Sequence, residues 1–241
     1  MKSITTIEDI ATLGTIMGIW AHPDDETYSS GGIMAAAIQN GQKVVFITAT
    51  KGEAGVQDES RWPANMLAGI REEELNEVRK ILGIDDHHWL DYSDGCCVDV
   101  DLNSAVDKIT KLINDYSPDT ILTFGPDGMT GHLDHKTVSE WAGLANKRAL
   151  KSATIYHAIQ TEEQYKSILV ADKELNVFFN IDQPQIYKDT DCDICFCLKD
   201  ELYDIKINAL RAMPSQTETM LKKFSFVMPI TAGTEAFKKA E

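Results

Sequence analysis

Basic residues are scarce. Lys and Arg number 23 against 38 Asp and Glu in 241 residues, a formal charge of −15. A surface of this sign repels polyanions and offers no phosphate-neutralising stripe, so no nucleic-acid partner is expected. Long apolar runs are missing as well: stretches such as Thr15 to Ala21 and Ile33 to Ile38 stop far short of the ~20 residues of a membrane span. The first ten residues contain Glu8 and Asp9 and no apolar segment, which argues against a signal peptide. Only seven Pro and 15 Gly are present, which excludes collagen-like and low-complexity classes. Five cysteines, an odd number in a chain large enough to fold without staples, fit a reducing compartment, and the cytoplasm is the expected location. Aromatics make up 8% of residues, too few for a polymer-binding groove lined by exposed rings.

What is present is core. The chain is 43% hydrophobic, and at roughly 150 residues per domain its length suggests one domain over residues 1–241. Near-continuous apolar runs at 15–21, 43–49, 119–124, 153–159 and 193–198 read as strands covered on both faces. Between them, apolar residues at helical spacing mark helices over 65–82 and 102–116, around Val138 to Ala145, and around Leu202 to Leu210. Strand-helix alternation predicts an α/β fold: a doubly wound, mostly parallel Rossmann-like sheet with helices on both faces. Residues 160–192 read as an insertion or as extra antiparallel strands. Cys195 and Cys197, at i, i+2 on a strand, read as small buried side chains, and neither they with Cys192 nor the Cys96-Cys97 pair has the spacing of a metal site.

In such sheets ligands bind beyond the carboxyl ends of the strands. After the first strand comes Ala21-His22-Pro23-Asp24-Asp25-Glu26, and after the 119–124 strand a glycine-rich loop ending in His132-Leu133-Asp134-His135. Imidazoles and carboxylates are the ligand types of an open catalytic zinc site. Adjacent side chains diverge, so Asp24 and Asp25 do not readily bind one ion from the same direction; one is left as a base. Spacing does not say which. Two His and one carboxylate also describe Fe(II) sites, so Fe2+ is the alternative to Zn2+. Glu26 reads as a cap or support more than as a ligand. Gly31-Gly32 lacks the G-x-G-x-x-G spacing and reads as close helix packing.

Together with Thr50-Lys51-Gly52-Glu53-Ala54-Gly55, Ile70-Arg71-Glu72-Glu73-Glu74-Leu75 and Leu90-Asp91-Tyr92-Ser93-Asp94-Gly95, these segments resemble, in order and over about residues 14–145, the LmbE-like or PIG-L family of zinc-dependent N-acetylglucosaminyl deacetylases. The resemblance implies zinc held by His22, Asp25 and His135, with Asp24 as general base. It makes His132 the group that polarises or protonates at the tetrahedral intermediate, with Asp134 orienting its ring and favouring the imidazolium; Asp134 is equally readable as a helix N-cap. It assigns substrate contact to Arg71 and Asp94, which otherwise read as an i, i+3 partner of Glu74 and as a turn residue. Arg71 then supplies the charge for a carboxylate or phosphate on the substrate. Trp62, in a loop beside Pro63, reads as a ring for stacking on a sugar or as a core cover. Near the C-terminus the family often has His just before Ser-Gln; here Met213 stands there, which alters that wall of the pocket.

The expected activity is removal of the N-acetyl group from a small N-acetylglucosamine-type conjugate, with no membrane partner. The oligomeric state is open, a homo-oligomer included. The rivals are an amidase acting on a larger acyl or thiol-sugar conjugate, a non-catalytic metal- or sugar-binding protein, and a nucleotide-binding domain.

Overall fold

A computed structural model describes residues 4–178, 180–181 and 184–241. In chain order the elements are α1 (Ile7–Ile10), β1 (Ile16–Trp20), α2 (Asp25–Gln39), β2 (Val44–Thr50), α3 (Ala64–Leu82), β3 (Asp86–Tyr92), α4 (Leu102–Tyr116), β4 (Thr120–Phe124), α5 (Leu133–Arg148) and β5 (Thr154–Ala158). They continue as β6 (Gln160–Thr161), α6 (Glu162–Leu175), β7 (Ile186–Tyr187), β8 (Ile194–Cys197), α7 (Asp200–Arg211), α8 (Pro214–Lys223), α9 (Met228–Thr231) and β9 (Thr234–Lys239).

Among the described residues the main sheet has seven strands in the order β3-β2-β1-β4-β5-β9-β8. The first five are mutually parallel, and β9 runs antiparallel to both β5 and β8. The expected doubly wound, mostly parallel sheet is therefore present. All five anticipated strands form, within a residue or two of their expected ends. The residues of β1, β2 and β4 are buried throughout, because helices cover both faces.

Chain order reverses between β1 and β4, which are neighbours in register Met17 with Ile121. Successive connections leave this pair in opposite directions, so a crevice opens at its carboxyl end. Both His-rich segments follow these two strands.

Several elements differ from the sequence reading. β3 lies at the sheet edge, half-buried, with two His and two Asp interrupting its apolar character. β9 lies between β5 and β8, its buried centre Glu235-Ala236-Phe237 masked by polar ends. Among the described residues of 160–192 stand α6 and the two-residue parallel pair β6–β7, and no antiparallel strand. The missed signal was a capping box: Thr161 accepts from the Gln164 N–H and the Gln164 side chain reaches back. Cys195 is half-buried and Cys197 exposed, against expectation, because β8 is the other sheet edge. Gly32 does mark close packing: a Cβ there would stand 2.3 Å from Leu198 Cδ2.

Candidate metal centre

His22, Asp25 and His135 converge at the β1/β4 switch point. His22 Nδ1 lies 3.2 Å from His135 Nε2 and 3.4 Å from Asp25 Oδ2, and His135 Nε2 lies 3.4 Å from Asp25 Oδ1. Ligands of a tetrahedral zinc ion, each about 2.1 Å from the metal, stand about 3.4 Å apart. The two imidazole nitrogens and the two Asp25 oxygens thus stand at the spacings of ligands on a tetrahedral cation, and two His with one carboxylate are a donor set that fits zinc.

Both rings are held in the orientation that ligation needs. His135 Nδ1 is 3.0 Å from the Gly128 carbonyl, to which it donates, leaving the Nε2 lone pair for a cation. Its ring stacks on Phe124 with centroids 4.0 Å apart. On His22 the roles of the nitrogens are exchanged: Nδ1 faces the other donors, while Nε2 lies 3.0 Å from Asp94 Oδ1 and 3.3 Å from Asp134 Oδ2. The Asp134 carboxylate also accepts from the N–H groups of Gly95 (2.7 Å) and Cys97 (3.1 Å), and Asp94 Oδ2 accepts from the Ala54 N–H at 2.9 Å. His22, Asp94 and Asp134 lie close enough to share an ion themselves, but the two carboxylates stand on the far side of the ring and orient it.

Two expectations are corrected here. Asp134 orients His22, not His132, and it is not the helix N-cap: that residue is His132, whose Nδ1 accepts from the Asp134 N–H at 3.1 Å. Asp94 grips His22 and the Ala54 loop; it does not line the cavity.

Burial alone would lower the His22 pKa, but hydrogen bonds to Asp134, Asp25 and Asp94 outweigh it and raise it well above the ordinary value. Burial raises Asp25, yet His135 and His22 overcome this and hold its carboxyl below the carboxylate range. Burial lowers His135 to about 4, so it stays neutral, as a ligand must be. Three carboxylates facing one imidazole make a site built for positive charge.

Asp24 is placed differently. Its φ of 122° is strained for a residue with a Cβ, a cost of roughly 1–3 kcal/mol that the surroundings must hold. Three groups do so. Its N–H donates to Glu26 Oε2 at 3.1 Å, its carbonyl accepts from the N–H groups of Thr27 and Tyr28, and Arg71 donates to the carbonyl of Pro23. The Arg71 guanidinium also donates to the Gly52 carbonyl at 2.8 Å and stands 3.6 Å from Asp24 Oδ2. A Cβ at residue 52 would sit 1.9 Å from Arg71 Nη1, so this loop must carry glycine at φ +67°. Arg71 is 3% exposed. Its guanidinium is turned to Asp24 and to two backbone carbonyls, where the resemblance implied contact with substrate. Burial pushes the Asp24 carboxyl up to about 8; Arg71 opposes the shift and the neighbouring Asp25 and Glu26 add to it. Glu26, fully buried, supports Asp24 as expected.

The His132 ring lies edge-on to His22, centroids 4.8 Å apart, and its pKa is lowered by burial and by His22. With Nδ1 accepting a backbone N–H, the neutral ring carries its proton on Nε2. Trp62 is not brought to the site: the Arg61 guanidinium covers its ring at 4.2 Å, and it is absent from the cavity walls.

From Asp24, Asp25 and His135 a cavity of about 590 Å³ extends beneath α6, α8 and β9. α8 is fixed by Glu74, whose carboxylate accepts from the Ser215 N–H (2.9 Å) and hydroxyl (2.5 Å). Met213, where the family often has His, is 1% exposed and caps α8 from within the core. The cavity's Glu235 accepts from the N–H groups of Gly32 and Ile33 and from Lys206 Nζ, each at 2.7 Å. Lys206 also donates to the Tyr28 carbonyl at 2.8 Å. This fully buried pair is wedged into the flank of α2, the helix that starts at Asp25. Sequence reading missed it, although a Glu inside an apolar strand is a signal for such a pair.

A parallel α/β sheet that gathers two His and an Asp at its switch point has the architecture of an α/β enzyme with a candidate metal centre. The family model described as GlcNAc-PI de-N-acetylase, PIG-L, matches residues 17–145, more than half of the chain, and the protein belongs to that family. The probable N-acetyl-alpha-D-glucosaminyl L-malate deacetylase 2 of Bacillus cereus is 28% identical over 210 residues, covering 86% of each chain. Among solved structures, the N,N'-diacetylchitobiose deacetylase of Pyrococcus horikoshii superposes with a TM-score of 0.66 at 21% identity, over 94% of this chain and 83% of that one. GalB, the 4-carboxy-2-hydroxymuconate hydratase of Pseudomonas putida, does so with 0.62 at 14% identity, over 95% and 96%. At these identities the structures establish the fold alone, and one fold carries both reactions. Among the described residues no helix is long and apolar enough to cross a membrane.

Proposed function

We propose that the protein is a zinc-dependent hydrolase that removes the N-acetyl group from an N-acetylglucosamine-type sugar, releasing acetate and the free amine. The observation that carries this reading is the pairing of a metal-sized donor set with an adjacent carboxylate, Asp24, that is held apart from it by a strained backbone. A binding protein has no use for the second carboxylate.

His22, Asp25 and His135 would hold the zinc, whose chemistry there would be Lewis acidity towards water and the acetamide carbonyl. Asp24 takes the proton of the attacking water at its carboxylate. The same carboxyl then returns that proton to the departing amine nitrogen, so one group serves as base and then acid. His132 donates its Nε2 proton in a hydrogen bond to the oxygen that gains negative charge. Arg71 and Glu26 keep Asp24 in place, and Asp94 and Asp134 keep His22 in its ligating orientation. The cytoplasmic setting inferred from the cysteines suits a small soluble amino-sugar conjugate as substrate.

Acetate release from N-acetylglucosaminyl glycosides, measured with chelator and after zinc is restored, tests the reading. Metal-dependent acetate release is the expected result. Release only of larger acids, or water addition to an unsaturated acid without amide cleavage, would overturn it.

A further inference from the structure

The cavity beside Asp24 and His135 is far larger than an acetyl group requires. At about 590 Å³ it matches pockets that enclose drug-sized ligands, so it surrounds the substrate beyond the reacting amide. Its walls divide by chemistry. The lining includes the neutral amides Gln57, Gln160 and Gln216, which suit sugar hydroxyls. Another wall is apolar: Ile168 and Leu175 of α6, Val177 just after it, and Met220 of α8. Ile168 and Met220 are largely buried already, at 8% and 9% exposure, and so form a fixed surface.

No Lys or Arg lines this cavity among the described residues. The cations nearby are turned elsewhere. Arg71 is buried against two backbone carbonyls and Asp24, Lys206 is buried against Glu235 and Tyr28, and Lys223 is paired with Glu174. Besides Asp24 and Asp25, the charged side chains on the walls are Glu174, paired with Lys223, and Glu235, fully buried against Lys206, so the walls offer no unpaired cation. A carboxylate or phosphate on the group attached to the sugar, held away from the metal ligands, would lose its water there and meet no unpaired cation on the walls.

From this lining we infer that the substrate carries an uncharged, partly apolar group on its amino sugar, and that the cavity excludes anionic conjugates. The inference rests on the deacetylase reading and narrows it.

The test is a matched pair of N-acetylglucosaminyl glycosides, one with an alkyl or aryl aglycone and one with the same skeleton bearing a carboxylate. Acetate release by the zinc-loaded protein should favour the uncharged member by at least about tenfold in kcat/KM. Leu175→Arg, which adds a cation at a half-exposed wall position, should reduce that preference at least about tenfold, while the neutral Leu175→Gln keeps it within about threefold. The corresponding free-amine glycosides, titrated calorimetrically into the wild-type protein, read the same preference without turnover. Equal or better binding and turnover of the carboxylated member would overturn the inference and leave the deacetylase reading standing. Acetate from neither glycoside would overturn the deacetylase reading instead, and the calorimetric preference would then decide the charge selectivity of the cavity by itself.

Discussion

Residues 16–148 and 154–241 build one sheet but are constructed differently. In the first stretch, parallel strands buried on both faces deliver every proposed metal ligand and Asp24 from the loops and first helical turns that follow them at one crevice. In the second, an antiparallel pair extends the sheet to an exposed edge, and α6 and α8 lean over the crevice to supply the cavity's apolar wall. Donor geometry tolerates errors of only tenths of an ångström, and the rigid buried core provides it. A substrate pocket has no such demand, and it is formed by helices packed on afterwards. The contrast teaches where to look for each property: the reaction in the first stretch, substrate choice in the second.

The largest expected effect sharpens the first half of that contrast. Asp24→Asn should lower kcat for acetate release by ~10²- to 10⁴-fold, since it removes the proposed base, with KM little changed. A loss under tenfold in the steady-state assay would move the base elsewhere.

The buried Lys206–Glu235 pair joins the two stretches, and breaking it tests whether they are one cooperative body. Glu235→Ala leaves Lys206 uncompensated and should cost about 3–5 kcal/mol in denaturant unfolding. The Lys206→Met, Glu235→Gln double variant should recover much of this. A loss below about 1 kcal/mol for Glu235→Ala would mean that water enters the pair.

Arg71 separates positioning from substrate binding. Arg71→Met removes hydrogen bonds worth about 1.5–3 kcal/mol for a charged donor, so kcat should fall roughly 10- to 100-fold while KM and zinc content hold. A rise in KM alone would restore Arg71 to the substrate. Smallest is Trp62→Ala, expected to change kcat/KM by less than about 0.5 kcal/mol because the residue is a loop side chain outside the cavity walls.

The catalytic stretch was legible because its information is local. β1, β2 and β4 are unbroken apolar runs, His22, Asp24 and Asp25 sit directly after β1, and His132 and His135 close the glycine-rich loop that follows β4. What escaped the sequence depends on distances set by tertiary packing. Asp134 is two residues from His132 yet its carboxylate serves His22, across the switch point. Arg71 looks like a surface helix residue until Gly52 and Pro23 are seen to fold over it. β9 escaped because Glu235 breaks its apolar pattern, and only the position of Lys206 on α7 explains that break. α6 was readable from Thr161 and Gln164 by its cap, not by its weak apolar periodicity.

The central claim is that two adjacent aspartates have unlike roles, Asp25 binding metal and Asp24 standing free beside it. Zinc content per chain of Asp24→Asn and Asp25→Asn, purified without chelator and measured by elemental analysis, tests it most directly. The expected result is about one zinc per chain in Asp24→Asn, as in the wild type, and a large loss in Asp25→Asn. Full zinc in Asp25→Asn with loss in Asp24→Asn would contradict the account.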